Sequence, residues 1–129
     1  MILDSSALVA VVLREPGWEA LSARIRAARG DVAIGAATLL EAAIVLSARL
    51  NEDARGRLAR IIQSSGISVI PVTEDHYSIA MDGWLRYGKG RHPAALNFGD
   101  CLSYATSVIA GEPLLCIGHD FVQTDCEIA

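Results

Sequence analysis

Apolar residues occur along the chain in short blocks, and the spacing within each block predicts strands that alternate with helices. The predicted strands are short apolar runs. The first begins at Met1 and ends before Asp4, and the other three cover residues 31–35, 68–72 and 113–117. The segments between them carry apolar residues at helical spacing, which predicts helices over residues 5–14, 16–29, 38–50, 53–65, 73–87 and 97–110. Strands that alternate with helices usually form one mostly parallel sheet covered on both faces, so we expect an α/β fold.

Individual residues refine the predicted elements. Pro16 suits the first turn of the second helix, and Gly30 suits its C-cap. The helix over residues 38–50 is apolar nearly all round, which predicts that it is buried. We expect residues 125–128 to add a short edge strand to the sheet.

The composition is that of one globular domain. The 129 residues are 52% hydrophobic and 20% charged, which suffices for a core and argues against disorder. No apolar stretch approaches the roughly 20 residues that a membrane-spanning helix needs. Asp4 interrupts the apolar start and no basic segment precedes it, so a secretory signal is not expected. We therefore expect a single domain over residues 1–129 and a cytoplasmic location.

Cysteine spacing and net charge narrow the classes of partner. Cys101, Cys116 and Cys126 are odd in number and lack the spacing of zinc ligands, so we expect reduced thiols. The formal net charge of −4 by itself disfavours a nucleic-acid partner. That sign is a poor guide when clustered acids bind cations, so RNA remains open as a partner.

Four acidic residues stand at or near predicted junctions between strands and helices. Asp4 ends the first strand, and two serines open the helix that follows. Glu41 lies near the start of the helix after the second strand, Asp100 in the first turn of a helix, and Asp120 just past the fourth strand. In open α/β sheets, ligands bind outside the carboxyl ends of the strands. We therefore expect these four carboxylates to form a cation site.

Each acid also has an ordinary structural explanation. Asp4 could cap the first helix, and Asp120 could be a turn residue. Asp100 and Asn97 together resemble a capping box. Glu41 could pair with an arginine, because a lone carboxylate on an apolar stripe costs several kcal/mol. Four such positions in one chain are much less expected by accident than any one of them.

A cluster made only of carboxylates selects a hard divalent cation. Mg²⁺ and Mn²⁺ prefer carboxylate and water oxygens, activate water and stabilise displacement at a phosphodiester. Ser6 is expected to hydrogen-bond the carboxylates, while His119 beside Asp120 either assists the site or is an ordinary turn residue. The fingerprints of dinucleotide binding, of a P-loop and of a nucleophile elbow are absent.

Four segments of the sequence together carry a family resemblance. They are MILDSSAL around Asp4, TLLE ending at Glu41, LNFGDC around Asp100, and GHDFVQTD, which contains Asp120 and Asp125. In this order they resemble the PIN-domain ribonucleases and, among these, the VapC toxins of type II toxin–antitoxin modules. The resemblance covers essentially the whole chain.

The resemblance implies an α/β/α sandwich of three layers, with a central, mostly parallel sheet of four to five strands. It also implies a Mg²⁺- or Mn²⁺-dependent endoribonuclease whose acidic quartet is Asp4, Glu41, Asp100 and Asp120. Asp4 and Asp100, with Glu41 beside them, are expected to hold metal, while Asp120 positions a second ion or the attacking water. Asp125 is a further candidate at the metal site.

The same resemblance implies three partners: an RNA substrate, a cognate antitoxin and a second copy of the chain. The antitoxin is expected in a groove between the early helices, from which it pushes a basic side chain towards the acids. The homodimer is expected to use apolar residues of the later helices, Ile79 and Trp84 among them.

Two other functions suit a small α/β protein with clustered acids. A PIN fold that has lost catalysis would serve only as a binding module, but it would not need all four acids. A phosphoacceptor receiver domain needs an aspartate at the end of its third strand, whereas this strand ends at Ile70, Pro71 and Val72. Nuclease assays with and without a chelator separate these alternatives.

Overall fold

The computed structural model describes all 129 residues and alternates strands with helices, as the sequence predicts. The strands are β1 (Ile2–Leu3), β2 (Ala33–Gly35), β3 (Ser68–Ile70) and β4 (Leu114–Leu115). The helices are α1 (Ser5–Leu13), α2 (Trp18–Ala27), α3 (Ala36–Leu50), α4 (Arg55–Ser65), α5 (Glu74–Tyr87) and α6 (Phe98–Ala110). A short 3-10 helix, Phe121–Gln123, follows β4.

The four strands form one parallel sheet in the order β3-β2-β1-β4. In its register, Leu3 lies beside Ile34 on one side and beside Leu115 on the other. From β1 the chain adds β2 and β3 on one side and then crosses over to place β4 on the other. The carboxyl ends of β1 and β4 flank this reversal, which is where open α/β sheets bind their ligands.

The pleat of the strands divides the core into two clusters, one on each face of the sheet. Leu3, Ile34 and Leu115 pack with α1 to α4. Ile2 and Leu114 pack with α5 and α6. Each such fully buried side chain contributes roughly 1.5–3 kcal/mol of hydrophobic free energy. The three-layer α/β/α sandwich is therefore confirmed, with four strands in its sheet.

Helix α3 is not buried all round, so that expectation was wrong. Its buried residues are Thr38, Ala42 and Leu46. On another face, Leu40 and Ile44 are each 61% exposed. The reason is geometric, because the sheet and the neighbouring helices cover only one stripe of a helix at the surface.

Both ends of α2 differ from their predicted positions. Gly17, with a φ of 91°, is the N-cap, so Pro16 lies before the helix rather than in its first turn. The left-handed conformation of Gly17 turns the chain sharply, which delays the helix to Trp18. At the other end the C-cap is Ala28, and Gly30, with a φ of 98°, serves the turn that follows.

The third strand and the tail are shorter in structure than predicted. β3 ends at Ile70, which pairs with Gly35, because β2 ends there and the chain turns into α3 at Ala36. Residues 125–128 form no strand, and a single parallel bridge joins Ile128 to Leu114. None of the helices combines the length and apolar character needed to span a bilayer.

Candidate active site

All four predicted acids lie at the carboxyl edge of the sheet. Asp4 directly follows β1, and Asp120 lies just past β4. Glu41 is in the second turn of α3, which starts directly after β2, and Asp100 is in the first turn of α6. Burial is the main cause that raises the pKa of Asp100, and the charges of Asp4, Asp120 and Glu41 raise it further. The four carboxylates are therefore electrostatic neighbours.

Asp4 is the most enclosed of the four acids, at 4% exposure. Its Oδ2 accepts hydrogen bonds from the backbone N–H of Ser6 at 3.0 Å and from the Ser6 hydroxyl at 2.5 Å. Asp4 thus caps α1, and Ser6 binds this carboxylate as predicted. Its Oδ1 accepts a third hydrogen bond, from the hydroxyl of Ser103 at 2.7 Å. A helix cap does not need that third donor, which comes from a distant helix.

Asp100 forms the capping box that the sequence suggests. Its Oδ2 accepts the backbone N–H of Asn97 at 2.8 Å, and its own N–H donates to Asn97 Oδ1 at 3.0 Å. The bond from Asn97 favours the ionised carboxylate, but burial and the neighbouring negative charges outweigh it and raise the pKa of Asp100 overall. Capping alone does not account for a carboxylate placed among three others.

Glu41 has no arginine partner, because it belongs to none of the five ion pairs in the chain. Its carboxylate instead lies against Gly99. A Cβ at Gly99 would stand 2.6 Å from Glu41 Oε1 and 2.7 Å from Oε2. The glycine in the LNFGDC segment therefore leaves room for the Glu41 carboxylate next to Asp100.

Asp120 and His119 lie in the exposed turn after β4. The Asp120 side chain makes no hydrogen bond within the protein, so it is free to accept one from a ligand or from water. The ring of His119 also makes no hydrogen bond, and only its backbone carbonyl accepts one, from Gln123 Nε2 at 3.2 Å. Nothing in these contacts ties His119 to the acids.

Asp125 forms its side-chain hydrogen bonds with residues other than the four acids. Its Oδ1 accepts the hydroxyl of Tyr104 at 2.9 Å, and its Oδ2 pairs with the Arg86 guanidinium at 2.8 Å. Burial by itself raises the pKa of Asp125, but these two partners outweigh it and lower that pKa overall. Asp125 is not among the charges that act on Asp100. These contacts favour a structural role, in which Asp125 fastens the tail to α5 and α6.

Two side chains at the site were not anticipated from the sequence. One is Ser103, which follows Asp100 by three residues on nearly the same face of α6, a spacing that could have indicated it. The other is Cys116, directly after β4. Burial and, next, the charge of Asp4 raise the pKa of the Cys116 thiol to about 12. This cysteine is therefore a neutral thiol rather than a nucleophile, and all three cysteines are free.

The chemistry of the donor set fits a hard divalent cation. None of the four acids belongs to an ion pair, so no positive side chain offsets their charge. Their donors are oxygens only, as Mg²⁺ and Mn²⁺ prefer. With the side chains as they stand, no three Asp, Glu, His or Cys residues surround one point closely enough to hold an ion. Convergence of all four acids on one cation remains a prediction.

Comparison with known proteins identifies the class to which this fold and site belong. Residues 1–125 match the PIN domain family. Ribonuclease VapC36 of Mycobacterium tuberculosis is 45% identical over 127 residues, which are 98% of this chain and 91% of that protein. The chain therefore belongs to the PIN-domain family and, within it, to the VapC ribonucleases.

Two solved structures share the fold. VapC20 of Mycobacterium tuberculosis, described as a sarcin-ricin loop cleaving toxin, has a TM-score of 0.78 at 22% identity, and the match covers 99% of this chain and 97% of that one. A toxin–antitoxin complex from Klebsiella pneumoniae has a TM-score of 0.73 at 18% identity, covering 99% of this chain and 95% of the other. At these identities the likeness concerns the fold.

Proposed function

We propose that this chain is the toxin of a type II toxin–antitoxin module and cleaves RNA as a Mg²⁺- or Mn²⁺-dependent endoribonuclease. The observation that carries the proposal is the gathering of four carboxylates, without a positive partner, at the reversal of strand order. The close relatives named VapC ribonucleases support RNA as the substrate.

In this proposal, each of the four acids has a role that suits its surroundings. Asp4 and Asp100 are the residues that would hold the metal ion, with Glu41 beside them, because these three are partly or fully enclosed. Asp120, which is exposed and free of hydrogen bonds, would position a second ion or the attacking water. When bound, the ion lowers the pKa of water and offsets the charge that develops on the phosphate oxygens. The chain itself holds the carboxylates in place through Ser6, Ser103 and the capping box.

Metal removal tests the enzymatic proposal directly. The full chain, purified free of antitoxin, should cleave total RNA in Mg²⁺ or Mn²⁺ and should lose all cleavage in EDTA. Excess Mg²⁺ should then restore cleavage. The carboxylates are themselves negative, so without a cation they cannot offset the negative charge on the phosphate oxygens. Cleavage that continues in EDTA would exclude the metal-dependent mechanism. RNA binding without cleavage in either ion would instead favour a catalytically inactive binding module.

Gly99→Ala tests the place of Glu41 in the site. The added methyl group would displace a flexible carboxylate rather than backbone, so the free energy of unfolding should change by less than about 1 kcal/mol. RNA cleavage should nevertheless fall at least roughly tenfold, since a misplacement of about 1 Å can cost about a hundredfold in rate. Single-turnover rates and thermal unfolding measure the two effects.

The matched control is Gly56→Ala in α4. A Cβ at Gly56 would meet only the Arg60 guanidinium, at 3.9 Å, so the variant makes the same change on a surface helix. If Gly99→Ala cleaves RNA as fast as Gly56→Ala, cleavage does not depend on the position of the Glu41 carboxylate against Gly99.

A groove between the early helices suits the proposed antitoxin. It has a volume of about 360 Å³ and lies among α1, α2 and α4. Its apolar lining is Leu8, Val11, Ile25, Ile61 and Ile67, with Arg26 and Arg29 among its polar residues. We propose that an antitoxin segment covers this groove and extends a basic side chain to the acids. We also propose that this complex forms in the cytoplasm. Cross-linking that maps an inhibitory antitoxin to a surface away from this groove would contradict the assignment.

An exposed apolar surface suits the proposed homodimer. The Phe98 patch is a groove of about 460 Å³ lined by Val72, Tyr77, Ala80, Met81, Trp84, Phe98, Cys101 and Leu102. Phe98 is 83% exposed and Tyr77 71%. Of the two residues that the sequence suggested for this role, Trp84 lines the patch, and both Trp84 and Ile79 are partly buried against the core. Exposed apolar patches of this kind often mark protein interfaces, and we propose that a second copy of the chain covers this one.

A further inference from the structure

We propose that Thr38 and Ser103 are positioning residues that hold the Asp4 carboxylate through a chain of buried hydroxyl groups. The inference rests on the proposed function, in which Asp4 is a metal ligand.

The chain of contacts joins three elements of the fold. Ser103 Oγ on α6 lies 2.7 Å from Asp4 Oδ1 at the end of β1. Thr38 Oγ1 on α3 lies 3.2 Å from Ser103 Oγ. Exposure is 2% for Thr38, 0% for Ser103 and 4% for Asp4, so water does not compete for these bonds. Each group therefore depends on the next for its hydrogen bonding.

The direction of donation follows from the chemistry of the groups. Ser103 has a single hydroxyl proton, and it donates that proton to Asp4 Oδ1. Thr38 must then donate to Ser103 rather than accept from it. Both dipoles thus point towards the carboxylate, and each bond strengthens the next.

The number of hydrogen bonds at each carboxylate oxygen of Asp4 shows which oxygen remains available to bind a cation. Oδ2 accepts two hydrogen bonds, both from Ser6, which occupy its two lone pairs. Oδ1 accepts only the bond from Ser103, so it keeps one lone pair for a cation. Ser6 alone would cap α1, whereas Ser103 fixes the oxygen that is left to bind.

Other buried hydroxyls of α6 form hydrogen bonds that do not involve the four acids. Thr106 donates to the carbonyl of Leu102 in its own helix, at 2.8 Å. Ser107 donates to the carbonyl of Glu112 just past the helix, at 2.6 Å. Ser103 instead reaches a carboxylate on another element, and Thr38 reaches Ser103. Thr106 and Ser107 are therefore matched controls, buried to a similar degree and on the same helix as Ser103.

Gly35 shows how closely the layers meet around this chain. A Cβ at Gly35 would stand 2.9 Å from Thr106 Oγ1 and 3.5 Å from Thr38 Oγ1. The absence of a side chain at the end of β2 thus lets α6 approach the start of α3. That approach brings Thr38 within hydrogen-bonding distance of Ser103.

Calorimetric titration of the metal-free full chain with Mn²⁺ tests the inference without using cleavage. Ser103→Ala should weaken Mn²⁺ binding roughly tenfold, because mutation of a residue that orients a metal ligand typically lowers metal affinity about ten- to a hundredfold. Ser107→Ala also removes a buried hydroxyl with two contacts, to the Glu112 carbonyl and to Cys126 Sγ at 3.4 Å, so it should lower the melting temperature to a similar extent. Its Mn²⁺ affinity should remain within about twofold of the unchanged chain.

Substitutions at Thr38 provide a second, independent arm. Thr38→Val should weaken Mn²⁺ binding about threefold, whereas Thr38→Ser keeps the hydroxyl and should bind as the unchanged chain does. Thr106→Val is the control for the loss of a buried threonine hydroxyl. Because Thr38 acts only through Ser103, adding Thr38→Val to Ser103→Ala should weaken Mn²⁺ binding no further.

The outcomes separate this inference from the proposed function. If the unchanged chain binds no Mn²⁺, both are overturned. If it binds Mn²⁺ and Ser103→Ala binds as tightly as Ser107→Ala, the positioning role is overturned and the proposed function stands. Should Ser103→Ala not fold, the comparison of Thr38→Val with Thr38→Ser and Thr106→Val decides the question, and equal affinity in all three rejects the hydroxyl chain.

Discussion

Asp100→Asn should abolish RNA cleavage while leaving the fold intact or slightly more stable. The asparagine oxygen can still accept the N–H of Asn97, so the capping box is kept at a cost of at most about 1 kcal/mol. The raised pKa of Asp100 means that its charge is less favourable in the folded chain than in the unfolded one. Removing the charge at neutral pH therefore relieves the cost of burying it and, next, its repulsion by the other acids.

The loss of cleavage in Asp100→Asn has a different origin. An amide cannot supply the negative charge that a divalent ion requires, so cleavage should fall by roughly a hundredfold or more. Even the mutation of a residue that only hydrogen-bonds a metal ligand typically lowers metal affinity or activity about ten- to a hundredfold. Growth inhibition by the expressed chain should disappear with the activity. Cleavage rates and denaturant unfolding of the same preparation give both measurements.

Asp75→Asn is the matched control for this variant. Asp75 is likewise an acid in the first turn of a helix, α5, but it is not among the charges that act on Asp100. It should retain full cleavage. A folded Asp100→Asn chain that cuts RNA as fast as Asp75→Asn would reduce Asp100 to a helix cap and leave the quartet without support.

Phe98→Glu should convert the proposed homodimer into a monomer. Phe98 is the most exposed large apolar side chain and lines the Phe98 patch. It also lines a second groove, of about 280 Å³, with Leu40 and Ile44 of α3. A carboxylate buried in such an interface without a partner costs several kcal/mol, and each 1.4 kcal/mol is about tenfold in affinity. The dimer dissociation constant should therefore rise at least about a hundredfold.

Sedimentation or light scattering over a range of concentrations measures this change. Val108→Glu is the control, because Val108 is also exposed on α6, at 43%, but lines neither groove. It should leave the dimer unchanged. A wild-type chain that is monomeric at about 100 µM, or a Phe98→Glu chain that dimerises as Val108→Glu does, would overturn the assignment of the Phe98 patch to a homodimer.

Much of the fold and of the candidate site could be predicted because it depends on local patterns. The apolar blocks place each strand and helix within a few residues of its position in the structure. The capping box of Asn97 and Asp100 is formed by residues three apart, so the sequence alone indicates it. The acids gather at one edge because all strands of a parallel sheet end on the same side. Asp4 and Asp120 are therefore expected at the same edge of the sheet, but only the pairing of β1 with β4 makes them neighbours.

Other features depend on contacts between distant segments, which only the tertiary structure determines. A helix that is apolar all round has no pattern to indicate its buried face, so packing against the sheet decided that Leu40 and Ile44 of α3 are exposed. Similarly, the sequence leaves Asp125 open as a further candidate beside Asp120, and its bonds to Arg86 and Tyr104 hold it away from the other acids.

The sequence by itself determined the alternating elements, the four acids and the family. The tertiary structure decided which side chains support those acids. Ser103 reaches Asp4 across 99 residues of chain, and Thr38 reaches Ser103 across 65. Periodicity and helix capping act within a few residues, whereas these hydrogen bonds exist only after three separate elements have packed together.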